Sequence, residues 1–326
     1  MSGNTFIKDI RIKAAKKHLR IAFPDAEDVR TLKAARTLVA EKIGIPLLVG
    51  NAAAIRKIAS ENSLDLGAVE IVDPAASAWA PDFASQLFEK RKAKGWTPEQ
   101  AADALRSPLY FAGMMLATDK IGAVVGGNIS ATGDVIRAAI HTVGTAPGIQ
   151  TVSSYFIMVF PDRLLCFADC AVLPNPTDAQ LADIALSSAR NFQAVTGESP
   201  LVAMLSFSTK GSAQHEDVDK VVRATKLAKD KAPDLLIDGE MQADAALVAS
   251  VGERKSKGSP VAGKANVLIF PDLDAGNISY KLTERLAGAE AVGPIVQGLR
   301  KPFCDLSRGC SVDDMVNVAS ICSLMA

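Results

Sequence analysis

Aromatic residues are scarce in this chain of 326 residues, at 5%, and neither sign of charge is in excess: 36 Lys and Arg offset 36 Asp and Glu. Zero net charge argues against an electrostatically driven nucleic-acid binder, which needs a basic excess or stripe. Apolar runs are short. The longest, Tyr155 to Phe160, is strand-sized, far below the ~18 residues that span a bilayer, so no membrane partner is expected. The N-terminal stretch MSGNTFIKDIRIKAAKK has no apolar signal core, so secretion is not expected. Cysteine is limited to Cys166, Cys170, Cys304, Cys310 and Cys322. The number is odd and no C-x-x-C pair is followed by a second pair or by histidines. Neither a disulfide frame nor a structural zinc site is expected, and a reducing cytoplasm fits best. His18, His141 and His215 are scattered, with no H-x-x-H or H-E-x-x-H spacing, so a metal role is not expected of them.

What is present reads as a layered α/β protein. Hydrophobic residues are 48% and charged residues 22%, a globular balance, and the length suggests about two domains. Small and β-branched residues dominate the apolar set and suit helices packed on a parallel sheet. Short apolar segments at 19–23, 46–49 and 121–125 alternate with amphipathic stretches such as 29–42, the pattern of βαβ units. Helices are expected at 98–106 and 109–117. Apolar runs at 152–160 and 164–170, separated by Pro161-Asp162-Arg163, read as a β-hairpin. Thr177 or Asp178 then caps a helix to about Phe192. Strands are expected at 201–205, 235–237 and 267–270, and helices at 212–231, 273–286 and 312–324. The basic segment 254–264 reads as a solvated loop.

Two segments carry chemistry. The first is Gly126-Gly127-Asn128-Ile129-Ser130-Ala131-Thr132-Gly133-Asp134, which follows a strand and leads into a helical pattern at 135–142. Helix N-terminal amides and the helix dipole favour an anion there. Arg137 near a helix start opposes the dipole, which favours an anionic partner. The second is the last sixty residues, with Asp305-Leu306-Ser307-Arg308-Gly309-Cys310-Ser311-Val312-Asp313-Asp314. An Asp this early in a helix is ordinarily a cap or dipole partner, Ser307 has no obvious local base, and Cys310 reads as a packed thiol.

Taken together, FPDLDAGNISYKL, GPIVQGL, KPFCDLSRGCS, LSFSTKGSA and DGEMQADAAL resemble segments of the phosphate acetyltransferases (phosphotransacetylases), in that family's order and over essentially the whole chain. LSRGCS, where phosphate butyryltransferases would carry a T-S-R-A-D-S-like segment, points to the acetyl branch. The resemblance implies reversible acetyl transfer between acetyl phosphate and coenzyme A, an enzyme of acetate metabolism with no metal or organic cofactor, and a cytoplasmic homodimer. It implies two three-layer α/β/α domains, residues 1–147 with 298–326 forming one and 148–297 inserted as the other, with the active-site cleft between them. By the same resemblance Asp314 is the candidate general base for the CoA thiol, with Asp313 its neighbour and fallback. Ser307 is the candidate donor to the acetyl carbonyl, and Arg308 and Arg137 would hold the phosphoryl group. Arg91, Ser130 and Thr132 would contribute to substrate binding, and Asn277, Tyr280 and Lys281 would line the cleft. The chain departs from the family pattern at Ala138, where Arg-Pro-Ala is expected, and at Ala131, where a second threonine is common.

Physical chemistry supports these roles. Acetyl phosphate is a dianion, and arginine's planar fork matches phosphate oxygens. The thiolate is the attacking form of CoA. With a carboxylate near ~4 and a thiol near ~8.5, full proton transfer is uphill by roughly 6 kcal/mol. Asp314 is therefore expected either to be raised by burial or to accept the proton as attack proceeds. Two rival classes are a non-enzymatic acyl-CoA-sensing module, for which no preceding catalytic portion is expected, and a metal-dependent 2-hydroxyacid dehydrogenase.

Overall fold

The computed structural model describes residues 3–326. Met1 and Ser2, the start of the stretch read above for a signal core and of the expected first domain, lie outside the described residues. The described strands, in chain order, are β1 (Arg20–Phe23), β2 (Ile45–Val49), β3 (Glu70–Val72), β4 (Ala123–Gly126), β5 (Ser153–Val159), β6 (Leu164–Ala168), β7 (Val202–Leu205), β8 (Ile237–Met241), β9 (Val267–Ile269), β10 (Glu290–Gln297) and β11 (Phe303–Asp305). They belong to two compact units. Ile7–Ala146 and Leu299–Ala326 make a split unit, and Pro147–Gly298, grouped with the described chain start to Phe6, makes a continuous one. Both are α/β, each a sheet flanked by helices.

In the split unit the strand order is β11-β4-β1-β2-β3, and every pairing is parallel. Ile21, Ala22 and Phe23 are fully buried, as are Ala123, Val124 and Val125, because helices cover both faces of a parallel sheet and its strands must be apolar throughout. Helices Ala80–Arg91, Pro108–Ala117 and Thr132–Thr142 share one core, in which Phe83 packs on Phe111 with ring centres 5.2 Å apart. Gly113 permits a close approach of two of these helices, since a Cβ there would lie 2.2 Å from the Thr142 hydroxyl. Strand β11 pairs Phe303 with Val124 and Asp305 with Gly126, returning the C-terminal segment to the sheet edge. Progress from β1 to β3 runs one way, while β4 lies on the other side of β1. The strand order therefore reverses between β1 and β4, and α/β sheets bind ligands at the carboxyl ends of strands flanking such a reversal.

The continuous unit has strand order β10-β5-β6-β9-β7-β8. The expected hairpin is present as antiparallel β5 and β6, β10 adds antiparallel to β5, and the remaining pairs are parallel. Thr177 forms a capping box with Gln180, and the helix it starts runs to Thr196, beyond the expected end, to stop at Gly197 with φ 83°. Two expectations change. The strand expected at 235–237 lies at Ile237–Met241. Its acidic residues are satisfied in place, Asp238 by the Lys210 and Lys229 ammoniums and Glu240 by the Ser208 hydroxyl and the Gly211 amide. The segment read as a solvated loop at 254–264 begins inside helix Ala249–Lys255, and its Val261 is fully buried.

Candidate active site

At the reversal point, the turn after β1 and the loop after β4 are built around one carboxylate. Asp25, almost fully buried, accepts on Oδ2 from the amides of Gly127 (2.7 Å), Ile129 (3.1 Å) and Ser130 (3.1 Å), and on Oδ1 from the Ser130 hydroxyl (2.6 Å). Gly127 has φ 97°, and a Cβ there would sit 2.1 Å from Asp305 Oδ1. Ser130, expected to face substrate, thus has both its amide and its hydroxyl engaged by Asp25. The next helix starts at Thr132, earlier than the expected 135, and its N-cap Ala131 supplies no capping side chain. The departure at Ala131 thereby leaves the helix start open. Arg137 lies in the second turn, not the first, and pairs with Asp134 on the surface at 2.8 Å.

Asp305 closes β11 directly beside this helix start. Its Oδ2 accepts from the Thr132 hydroxyl at 2.6 Å, and its buried Oδ1 has no partner among the described residues. Burial, opposed by the Thr132 bond and reinforced by the Asp25 charge, pushes the carboxyl up to about 6. Ser307 and Arg308 follow, both exposed, and the Ser307 hydroxyl accepts from the Gly309 amide at 3.2 Å. This loop is stapled by Arg30. Its guanidinium donates to the carbonyls of Arg308 (2.9 Å), Cys310 (2.8 Å) and Asn128 (3.1 Å) while bonded to both oxygens of Asp28. Burial pushes Asp28 up, but its bonds to Arg30 and Asn128 outweigh that and hold it below the usual carboxylate range.

Asp314 is exposed and forms a capping box, accepting from the Ser311 amide (2.8 Å) and hydroxyl (2.9 Å). The expected burial is not there, because the helix N-terminus holds this carboxylate at the surface. Asp313 is paired with Arg11 at 3.1 Å, which leaves Asp314 as the carboxylate on the site loop's side of the cap. Cys310 is buried, and burial pushes its thiol up.

Arg91 and Arg137 share a neighbourhood. Tyr110 and His141 lie 2.8 Å apart through the phenol oxygen and Nδ1. Burial pushes the Tyr110 phenol up and the His141 imidazole down, and both guanidinium groups act on each of the two rings. Arg91 has no carboxylate partner among the described residues; its guanidinium carbon lies 5.6 Å from the centre of the Trp96 ring.

Asn277, Tyr280 and Lys281 belong to the continuous unit, on helix Leu273–Ala287. Asn277 donates its side-chain amide to the Cys170 carbonyl at 2.9 Å, Tyr280 stacks on Phe156 with ring centres 4.2 Å apart, and the Lys281 ammonium lies 5.7 Å from the Tyr280 ring centre. The structure ties Ser130 to Asp25, Thr132 to Asp305 and the Arg308 carbonyl to Arg30, while Asp314 bonds only within its own helix cap to Ser311, and Arg91 and Arg137 both act on the Tyr110–His141 pair. Sequence reasoning missed Asp25, Asp28, Arg30, Asn128 and Asp305. For two of them a signal was available: Asp25 follows β1 by two residues and Asp305 ends β11, at the carboxyl ends where parallel sheets place function.

An all-parallel five-stranded sheet whose order reverses between β1 and β4, with a helix starting just after β4, defines an α/β protein of the layered class. The model of the phosphate acetyl/butaryl transferase family matches residues 5–323, and the chain belongs to that family. It is 48% identical to a phosphate acetyltransferase of Thermoanaerobacterium thermosaccharolyticum over 99% of either chain. It is 46% identical to one of Acetivibrio thermocellus, over 99% of this chain and 98% of that one. A crystal structure of a phosphotransacetylase from Streptococcus pyogenes superposes with a TM-score of 0.94 at 38% identity, covering 99% of this chain and 98% of that one.

Proposed function

We propose that this chain transfers acetyl reversibly between acetyl phosphate and coenzyme A by direct thiolate attack in a ternary complex. The observation that carries the reading is the Arg30-stapled loop. It holds Ser307 and Arg308 two and three residues beyond Asp305, whose carboxylate is bonded to Thr132 at the start of the helix that carries Arg137. In the forward direction the phosphoryl group takes the open helix start and the guanidinium groups of Arg137 and Arg91, and Arg137 exchanges Asp134 for substrate oxygen. Arg308 adds charge from the loop. The Ser307 hydroxyl donates to the acetyl oxygen as the tetrahedral state forms. Asp314 receives the thiol proton as the C–S bond forms, acting as general base. Phosphate then leaves on the arginines. The proposal includes a cytoplasmic homodimer that needs no metal or organic cofactor.

The test is CoA-dependent release of phosphate from acetyl phosphate. Ser307→Ala is expected to lower kcat by about 10²–10³, and single-turnover quenching is expected to trap no acetyl-enzyme. Isolation of a kinetically competent acetyl-enzyme refutes the direct route. Solution mass and chelator-insensitive turnover check the dimer and the absence of a metal.

A further inference from the structure

Among the arginines assigned to the phosphoryl group, Arg91 is held differently from the others. Arg137 is paired with Asp134, and Arg308 is anchored through its own carbonyl by Arg30. Arg91 ends helix Ala80–Arg91, and its Nε is buried with no hydrogen-bond partner among the described residues. What lies against its guanidinium is an indole. The short 3-10 turn Lys92–Lys94 ends at Gly95, whose φ of 81° turns the chain back so that Trp96 lands beside Arg91. Trp96 is itself wedged. His141 meets it edge-on with ring centres 5.2 Å apart at 89°, Tyr110 lies 6.2 Å away, and the Tyr110–His141 hydrogen bond ties those two together.

We propose that Trp96, braced by His141 and Tyr110, is a positioning residue that holds the Arg91 guanidinium for the phosphoryl group. A carboxylate partner would orient the guanidinium equally well but would neutralise it and occupy its donors. An aromatic face attracts the cation through the ring quadrupole and leaves the N–H edge unoccupied. The charge that meets a dianion is then undiminished. A neutral imidazole suits this brace. Burial and the two arginines disfavour a further cation there. The inference rests on the phosphate acetyltransferase reading and adds to it a residue that never touches substrate.

The experiment compares Trp96→Leu, Trp96→Phe, Arg91→Ala and the Trp96→Leu/Arg91→Ala double variant. Trp96→Leu is expected to raise KM for acetyl phosphate about five- to tenfold with kcat and KM for CoA little changed, and Trp96→Phe to recover most of the loss. In the Arg91→Ala background Trp96→Leu is expected to add nothing. Equal losses with and without Arg91, or an equal rise in KM for CoA, make Trp96 merely structural and overturn the proposal. A wild-type chain with no CoA-dependent phosphate release removes the functional reading itself, whereas an active wild type that is indifferent to Trp96→Leu removes only the brace. A second measurement does not depend on the leucine variant folding. The chain has two tryptophans, so Trp79→Phe leaves Trp96 as the sole indole reporter. Its emission is expected to change saturably with inorganic phosphate, and not after Arg91→Ala. An emission indifferent to phosphate, or responsive without Arg91, counts against the proposal.

Discussion

Replacing Asp305 with asparagine should stabilise the protein at alkaline pH and leave it unchanged in acid. The carboxyl rises from 3.8 to about 6 on folding because it is buried beside Asp25, with the Thr132 hydroxyl as its one donor among the described residues. Well below pH 4 it is protonated in both the folded and the unfolded chain and makes no difference. Between about 4 and 6 the unfolded chain ionises while the folded one keeps its proton, so stability falls as pH rises. Above 6 the penalty is complete. A rise of roughly 2 units, at about 1.4 kcal/mol each, amounts to about 3 kcal/mol. The asparagine carbonyl can still accept from Thr132, and no charge remains to desolvate. Urea unfolding of wild type and Asp305→Asn at about pH 3, 6 and 8 should give a difference near zero in acid that grows with pH to about 3 kcal/mol in favour of the variant. A difference that is the same at every pH, or a variant that loses stability as pH rises, would refute the argument that burial governs this group.

Other changes follow from the same framework. Gly127→Ala forces a Cβ to within 2.1 Å of Asp305 Oδ1 at a φ of 97°, and should cost about 2 kcal/mol or more in stability, read as a lowered melting temperature. Arg30→Ala removes the staple from the Arg308, Cys310 and Asn128 carbonyls; it should lower kcat by about tenfold or more and expose the segment 306–311 to limited proteolysis, and an unaltered cleavage pattern would contradict it. All five cysteines are buried and free, and burial pushes the Cys166, Cys170 and Cys310 thiols up. An aromatic disulfide reagent should therefore find no fast-reacting thiol in the native protein and all five after denaturation.

The elements most legible in the sequence were those whose local signals agree. The 29–42 stretch is amphipathic and opens with Asp28 as N-cap, and the helix Val29–Ala40 stands where that pattern places it. The Pro161-Asp162-Arg163 turn separates two runs that pair as a hairpin. Where signals conflict, reading failed. β3 has only Glu70, Ile71 and Val72, with Glu70 exposed at the sheet edge, too little pattern to stand out. β10 is not among the expected strands: it contains Gly293 and Pro294, both disfavoured in strand interiors, and its register shifts between Val292 and Ile295. β8 carries two acids in five residues and is stable as a strand only because lysines and a serine from distant segments meet them. The site divided the same way. Ser307, Arg308 and Asp314 sit in contiguous motifs, whereas the Asp25–Ser130 and Arg30–Arg308 bonds join residues 105 and 278 positions apart. No spacing rule encodes partners that only sheet topology brings together.

The carboxylate of Asp25 occupies the concavity of backbone amides that an incoming oxygen would otherwise fill. The loop after β4 accordingly reaches its working shape as the chain folds, organised by a charge the polypeptide carries within itself. Under the proposed function, binding of the phosphoryl group would not be diverted into ordering that segment, and association should proceed with little change in the loop's hydrogen-exchange rates. Such a surface is preorganised: it meets each successive turnover already in register.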